Sequence, residues 1–150
     1  MTLLAKIVRR GPADWLMAAE ALVLLTLFRA CLAMVPVRRI VRAITHGREG
    51  ATAEGKRAVP IPARDLQVAR RVQWAVSAVT RHSVVEFVCF PQTLAAFLML
   101  RRRGVPSTIV YGVGRSAEGT LIAHTWLEAG DRIVTGGEAS AGFAAIERWK

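Results

Sequence analysis

The chain has 150 residues, the size of one domain or of a domain with a helical extension, and needs no disulfide staples to bury a core. Hydrophobic residues make up 53% of it and mean hydropathy is +0.33, which excludes a disordered chain. Its 21 Lys+Arg against 11 Asp+Glu leave a net charge of +10, pointing to an acidic peptide, a nucleic acid or an anionic membrane as partner.

Pro12 and Asp14 mark a helix start, since proline suits the first turn and aspartate its positive end. The helix they open runs apolar from Trp15 to Val35 and should stop before Pro36. Glu20 and Arg29 bracket residues 21–28, too short an uncharged run to cross a bilayer. A secretory signal would also need a small-residue cleavage site, to which only the region around Cys31 can be forced. The reading is a hydrophobic helix buried against the domain or a partner, with peripheral membrane contact as the lesser alternative. Cys31 is inert packing within it. With only Cys89 besides, a disulfide framework is excluded and a reducing compartment, the cytoplasm, is expected.

A short helix over 37–45 carries Arg38, Arg39 and Arg42 on one side and Val37, Ile40, Val41 and Ile44 on the other. Residues 46–62 have no periodicity and read as a linker. They divide an N-terminal helical arm and linker (1–60) from a core (61–150). Val68, Val72, Ala75, Val76 and Val79 then repeat at helical spacing over 65–82. Another helix is predicted from Pro91 to Arg103, closed by Gly104. Its three terminal arginines suit the negative helix end and need no ligand. Beyond Pro106 the period changes to two, giving strands over 107–114, 120–128 and 132–135, the first two joined as a hairpin. A terminal helix is predicted over 139–150. This order of elements is α+β.

Cys89 lies beside a helix N-terminus, where unpaired amides and the macrodipole favour an anion. A thiolate is the form that attacks carbonyls, and the same amides can hold the oxyanion that results. Taken alone, a cysteine at a helix start is more often a small buried residue. His124 falls on the second strand, sharing a face with Ile122, Trp126 and Glu128 while Leu121, Ala123, Thr125 and Leu127 share the other. Taken alone it reads as a structural histidine. Together, Cys89 and His124 supply the two groups of a thiolate–imidazolium pair. The cysteines and His46, His82 and His124 lack paired metal-ligand spacing, so neither zinc nor another cofactor is expected. Gly112 and Gly114 lack a phosphate-loop lysine, and the arginines lack the interleaved aromatics of a nucleic-acid surface.

Three blocks carry a resemblance: Cys89-Phe90-Pro91-Gln92 running on to Arg101-Arg102-Arg103-Gly104-Val105-Pro106, then Val110-Tyr111-Gly112-Val113, then Ala123-His124-Thr125-Trp126-Leu127-Glu128. Together with Trp74 and the arm ending Val35-Pro36-Val37-Arg38-Arg39, they resemble the leader peptidase of lasso-peptide biosynthesis. That peptidase is the protease half of the B protein, in the transglutaminase-like cysteine protease superfamily. The resemblance implies a helical arm before a transglutaminase- or papain-like core, its cysteine at a helix N-terminus packed on a short antiparallel sheet. It implies Cys89 as nucleophile and His124 as base. The implied activity removes the leader of a ribosomal precursor peptide, with a separate leader-recognition protein and a lasso cyclase as partners. A transglutaminase-like acyltransferase, or a noncatalytic basic scaffold, are the alternatives. The family's aspartate position falls near Thr135 or Gly136, neither a carboxylate. Glu138, Asp131, Glu128, a backbone carbonyl or nothing at all is left to orient the imidazole. Trp126 lines a cleft or packs the core, and Gln92 caps the helix.

Overall fold

The structure, a computed structural model, describes residues 11–45, 49–50, 59–84 and 88–150. Most of the predicted linker lies outside these residues. The first helix, α1 (Pro12–Met34), begins where Pro12 needs no amide partner and ends at Val35, extended ahead of Pro36. Helix α2 (Val37–Thr45) follows, burying Ile40 and Val41. After strand β1 (Glu49–Gly50) come α3 (Ala63–His82) and α4 (Cys89–Arg102). Strands β2 (Thr108–Arg115), β3 (Leu121–Ala129) and β4 (Arg132–Thr135), the short helix α5 (Gly137–Ser140) and β5 (Ala144–Trp149) complete the fold. The architecture is α+β, as the sequence predicts.

The strands form one antiparallel sheet in the order β1-β5-β2-β3-β4. Two sequence expectations need correction. Residues 139–150 are not a terminal helix; β5 pairs with the free edge of β2, Ile109 opposite Trp149. Without it the β2 edge would carry a row of unpaired amides and carbonyls beside the core. The alanines at 144 and 145 mimic a helix, but Trp149 is buried and its ring stands 6.4 Å from that of Tyr111. Helix α4 also starts two residues before Pro91, at Cys89 itself.

Helices α1, α3 and α4 pack together, with Met17, Ala21, Leu24, Leu25 and Phe28 of α1 facing Val72 and Val76 of α3 and Leu94 and Met99 of α4 in one core. Thr125, Leu127 and Ala129 of β3 are buried too, so this strand face lies against the helices. Gly104, at φ 72°, takes the left-handed turn that stops α4 and lets Val105 donate back to Leu100.

The charges in α1 hold it to the other helices. Asp14 receives Nη2 of Arg71 at 2.8 Å. Glu20 receives Arg103 at 2.6 Å and Arg102 at 3.2 Å, while Arg101 donates to the Ile44 carbonyl of α2. The arginine run is therefore a clamp from α4 onto α1 and α2, occupied from within the chain.

Burial pushes the Glu20 carboxyl up, but hydrogen bonds and charge from Arg103 and Arg102 outweigh it and hold the group below the ordinary value of 4.5. A carboxylate lowered by folding stabilises above its unfolded value, and the stabilisation is lost as pH falls through the folded one. Glu20→Gln should therefore cost about 1 kcal/mol near neutral pH, a sum typical of half-exposed pairs. Urea unfolding across pH should show the deficit shrinking in acid.

Candidate active site

Helix α4 opens with Cys89 as its first residue and Val88, which has no side-chain acceptor, as its N-cap. No acidic residue stands in the first turn, and the N-cap makes no side-chain hydrogen bond. The Cys89 side chain is half-buried, neither sealed in the core nor fully exposed. Phe90 turns toward the sheet, its ring 6.1 Å from that of Tyr111. Thr93, one turn after Cys89 and on the same side of the helix, is buried. Its hydroxyl lies 3.4 Å from the Thr125 carbonyl, to which it donates, and 3.2 Å from the Thr125 hydroxyl.

His124 immediately precedes that threonine. Thr125 turns its hydroxyl to α4, so strand alternation projects His124 from the opposite face, with Trp126 and Glu128. The imidazole is half-buried, stacked at 6.1 Å on Trp126 and covered by Phe143 at 5.0 Å. Its Nε2 is 2.9 Å from the Gly136 carbonyl. A carbonyl only accepts, so Nε2 carries the hydrogen and Nδ1 of the neutral ring keeps its lone pair.

Gly136 sits just past the end of β4 at φ 74°, a conformation side chains disfavour. A Cβ there would stand 2.7 Å from the Thr125 oxygen and 3.0 Å from His124 Nε2. The Thr125 carbonyl is thus approached by Thr93 from α4 and by Gly136 from the loop after β4. The helix that opens with Cys89 lies on the Thr125 face of β3, while the anchored imidazole projects from the other face. Among the described residues no hydrogen bond joins Cys89 and His124, and the structure does not bring the two side chains together.

The chain is matched by one family model. It is described as the transglutaminase-like superfamily and spans residues 22–148. The chain belongs to that superfamily. No curated protein and no solved structure matches the chain.

Cysteine proteases and acyltransferases are both found among transglutaminase-like proteins, so the family sets the chemistry only as far as acyl transfer through a thiol. None of the three acids weighed for the imidazole reaches it. Glu128 accepts the Trp126 indole N–H at 2.9 Å and Arg148 at 2.6 Å, tying β3 to β5 across β2. Asp131 is exposed in the turn between β3 and β4, and Glu138 is exposed on α5. The group that holds the ring is the Gly136 carbonyl. Trp126 is packing, 5% exposed, its ring filling the space a side chain on Gly112 would take. Gln92 is half-buried and engaged, and Cys31 packs on the core. Thr93 and Phe143 went unread in the sequence, although Thr93 has a signal in its spacing of four from Cys89. Phe143 has none, because its position over His124 depends on the path of the loop into β5.

Gly136→Ala would force a left-handed alanine against the Thr125 oxygen. It should cost about 2–4 kcal/mol in denaturant unfolding and shift the His124 ring resonances. Gly119→Ala, also at positive φ but with open space around it, should cost less and leave those resonances in place.

Proposed function

We propose that this transglutaminase-like protein is a cysteine peptidase that removes the leader from a lasso precursor peptide. Cys89 is the nucleophile and His124 the base. The observation that carries the chemistry is the bond from His124 Nε2 to the Gly136 carbonyl, which leaves Nδ1 as the proton acceptor. The thiol gives its proton to Nδ1, and its sulfur attacks the scissile carbonyl. The oxyanion is held by the uncapped amides at the start of α4. Collapse breaks the C–N bond, and the imidazolium returns the proton to the departing amine. Water then attacks the thioester, gives its proton to the same nitrogen, and the free thiol is restored as the leader acid departs. Helix α4 packs on the Thr125 face of β3 and His124 projects from the other, so this reading requires thiol and imidazole to come together in the complex with substrate.

The Cys89–Pro106, Val110–Val113 and Ala123–Glu128 blocks support the leader peptidase reading above the acyltransferase one. In this reading the enzyme works in the cytoplasm with a separate leader-recognition protein, and the freed amine passes to the lasso cyclase.

The test is incubation of the full chain with precursor and recognition protein, read by mass spectrometry. Wild type should release the intact leader, while Cys89→Ala abolishes release and His124→Ala slows it by roughly 10²–10⁴. Circular dichroism confirms that both variants are folded. Release that persists in folded Cys89→Ala overturns the enzyme reading. Joining of an added amine to the leader in place of hydrolysis assigns the acyltransferase instead.

A further inference from the structure

Helix α1 carries apolar residues on both its inner and its outer face. Its inner face is built into the core, yet Trp15, Leu16, Leu22, Val23, Leu27 and Met34 remain exposed, Leu16 at 72%, Val23 at 64% and Met34 at 87%. At 100° per residue these fall on one continuous outer face, and 23 residues make it roughly 34 Å long. Thr26 lies within this face, but its hydroxyl is turned back to the Leu22 carbonyl at 2.8 Å and asks nothing of a solvent. The two acids of α1, Asp14 and Glu20, are both engaged by arginines of α3 and α4.

Cations border the face. Arg29 is exposed at its rim, and Arg38 and Arg39 are exposed on α2, which follows after Val35 and Pro36. Arg38 is 76% exposed and stands 3.9 Å from Glu147, its partner in a loose pair. An apolar stripe rimmed by arginine, whose neighbouring carboxylates Glu20 and Glu147 are paired with arginines, matches a surface that is hydrocarbon inside and anionic at its boundary. A second copy of this chain fits poorly, because it brings another +10 to the same contact. By length and hydropathy α1 would also suit crossing a bilayer, but Leu24, Leu25 and Phe28 are committed to the core at 5% exposure or less.

We propose that the outer face of α1, with the arginines of α2, lies flat on an anionic lipid surface. The inference is independent of what Cys89 and His124 do, and it leaves their end of the sheet untouched. Arg38 and Arg39 reach the headgroup level beyond one end of the face, and Trp15 suits the interfacial zone at the other.

Flotation of the full chain with phosphatidylglycerol vesicles, and with phosphatidylcholine vesicles as control, tests this. Wild type should float with the anionic vesicles alone at low salt. Combined Leu22→Ser, Val23→Ser and Leu27→Ser, all at exposed positions, should abolish flotation while circular dichroism stays unchanged. Combined Arg38→Glu and Arg39→Glu should weaken it by about tenfold, as should high salt. Equal flotation with both vesicle types, none with either, or flotation that survives the triple serine change overturns the proposal. So does a dimer in sedimentation equilibrium without lipid that the triple change dissociates, which would assign the face to a second copy.

Discussion

The bond from His124 Nε2 to the Gly136 carbonyl requires a backbone that turns back at the end of β4, and glycine makes that turn at φ 74° without strain. The missing side chain matters twice, because the Cβ position is contested by the Thr125 oxygen and by the imidazole itself. Every property of the site follows from this approach. It fixes the tautomer, directs Nδ1 away from the loop, and brings the loop within reach of the peptide unit that Thr93 holds from α4. A side chain at 136 would push the loop after β4 away from the strand that carries His124.

The same economy of means appears in α1. Its composition would serve a membrane span, and two carboxylates decide otherwise. Asp14 meets Arg71, and Glu20 meets Arg102 and Arg103, so α1 is fastened at two points to the helices behind it. The superfamily match begins at residue 22, inside α1, and this helix shares its core with α3, α4 and the sheet. The arginines closing α4 thus have two tasks: they suit the negative end of their own helix, and they hold the helix that carries the exposed apolar face.

Much of this was legible because local signals agreed with the tertiary outcome. Pro12 and Pro36 bound α1, Val37 and Thr45 bound α2 as the arginine stripe implied, and period-two patterning found β2, β3 and β4. The last strand was not legible. Ala144 and Ala145 are helix formers, and what makes 144–149 a strand is the open edge of β2, about thirty residues away. The site was legible as residue types, a cysteine at a helix start and a histidine on a strand. Its third member was not, because a backbone carbonyl has no letter in a sequence; only the glycine pair at 136 and 137 hinted at an unusual path.

A carbonyl in place of a carboxylate changes what the imidazole can do. Both accept the Nε2 hydrogen and both hold the ring in one tautomer, so orientation survives the exchange. What a dipole supplies less well than a full negative charge is stabilisation of the ring once it is protonated. In the proposed mechanism the negative charge is then left to α4, whose first turn has no acidic residue and whose N-cap makes no side-chain hydrogen bond. The packing reflects this division. Phe143 and Trp126 shield the imidazole with apolar rings, and Glu128, the acid nearest it along the strand, is neutralised by Arg148 and the Trp126 indole. Negative charge is kept from the ring and positive dipole is placed behind the sulfur. The proposed mechanism therefore leans on the start of α4, from Cys89 to Thr93, for its oxyanion and on the Gly136 carbonyl for the orientation of its base.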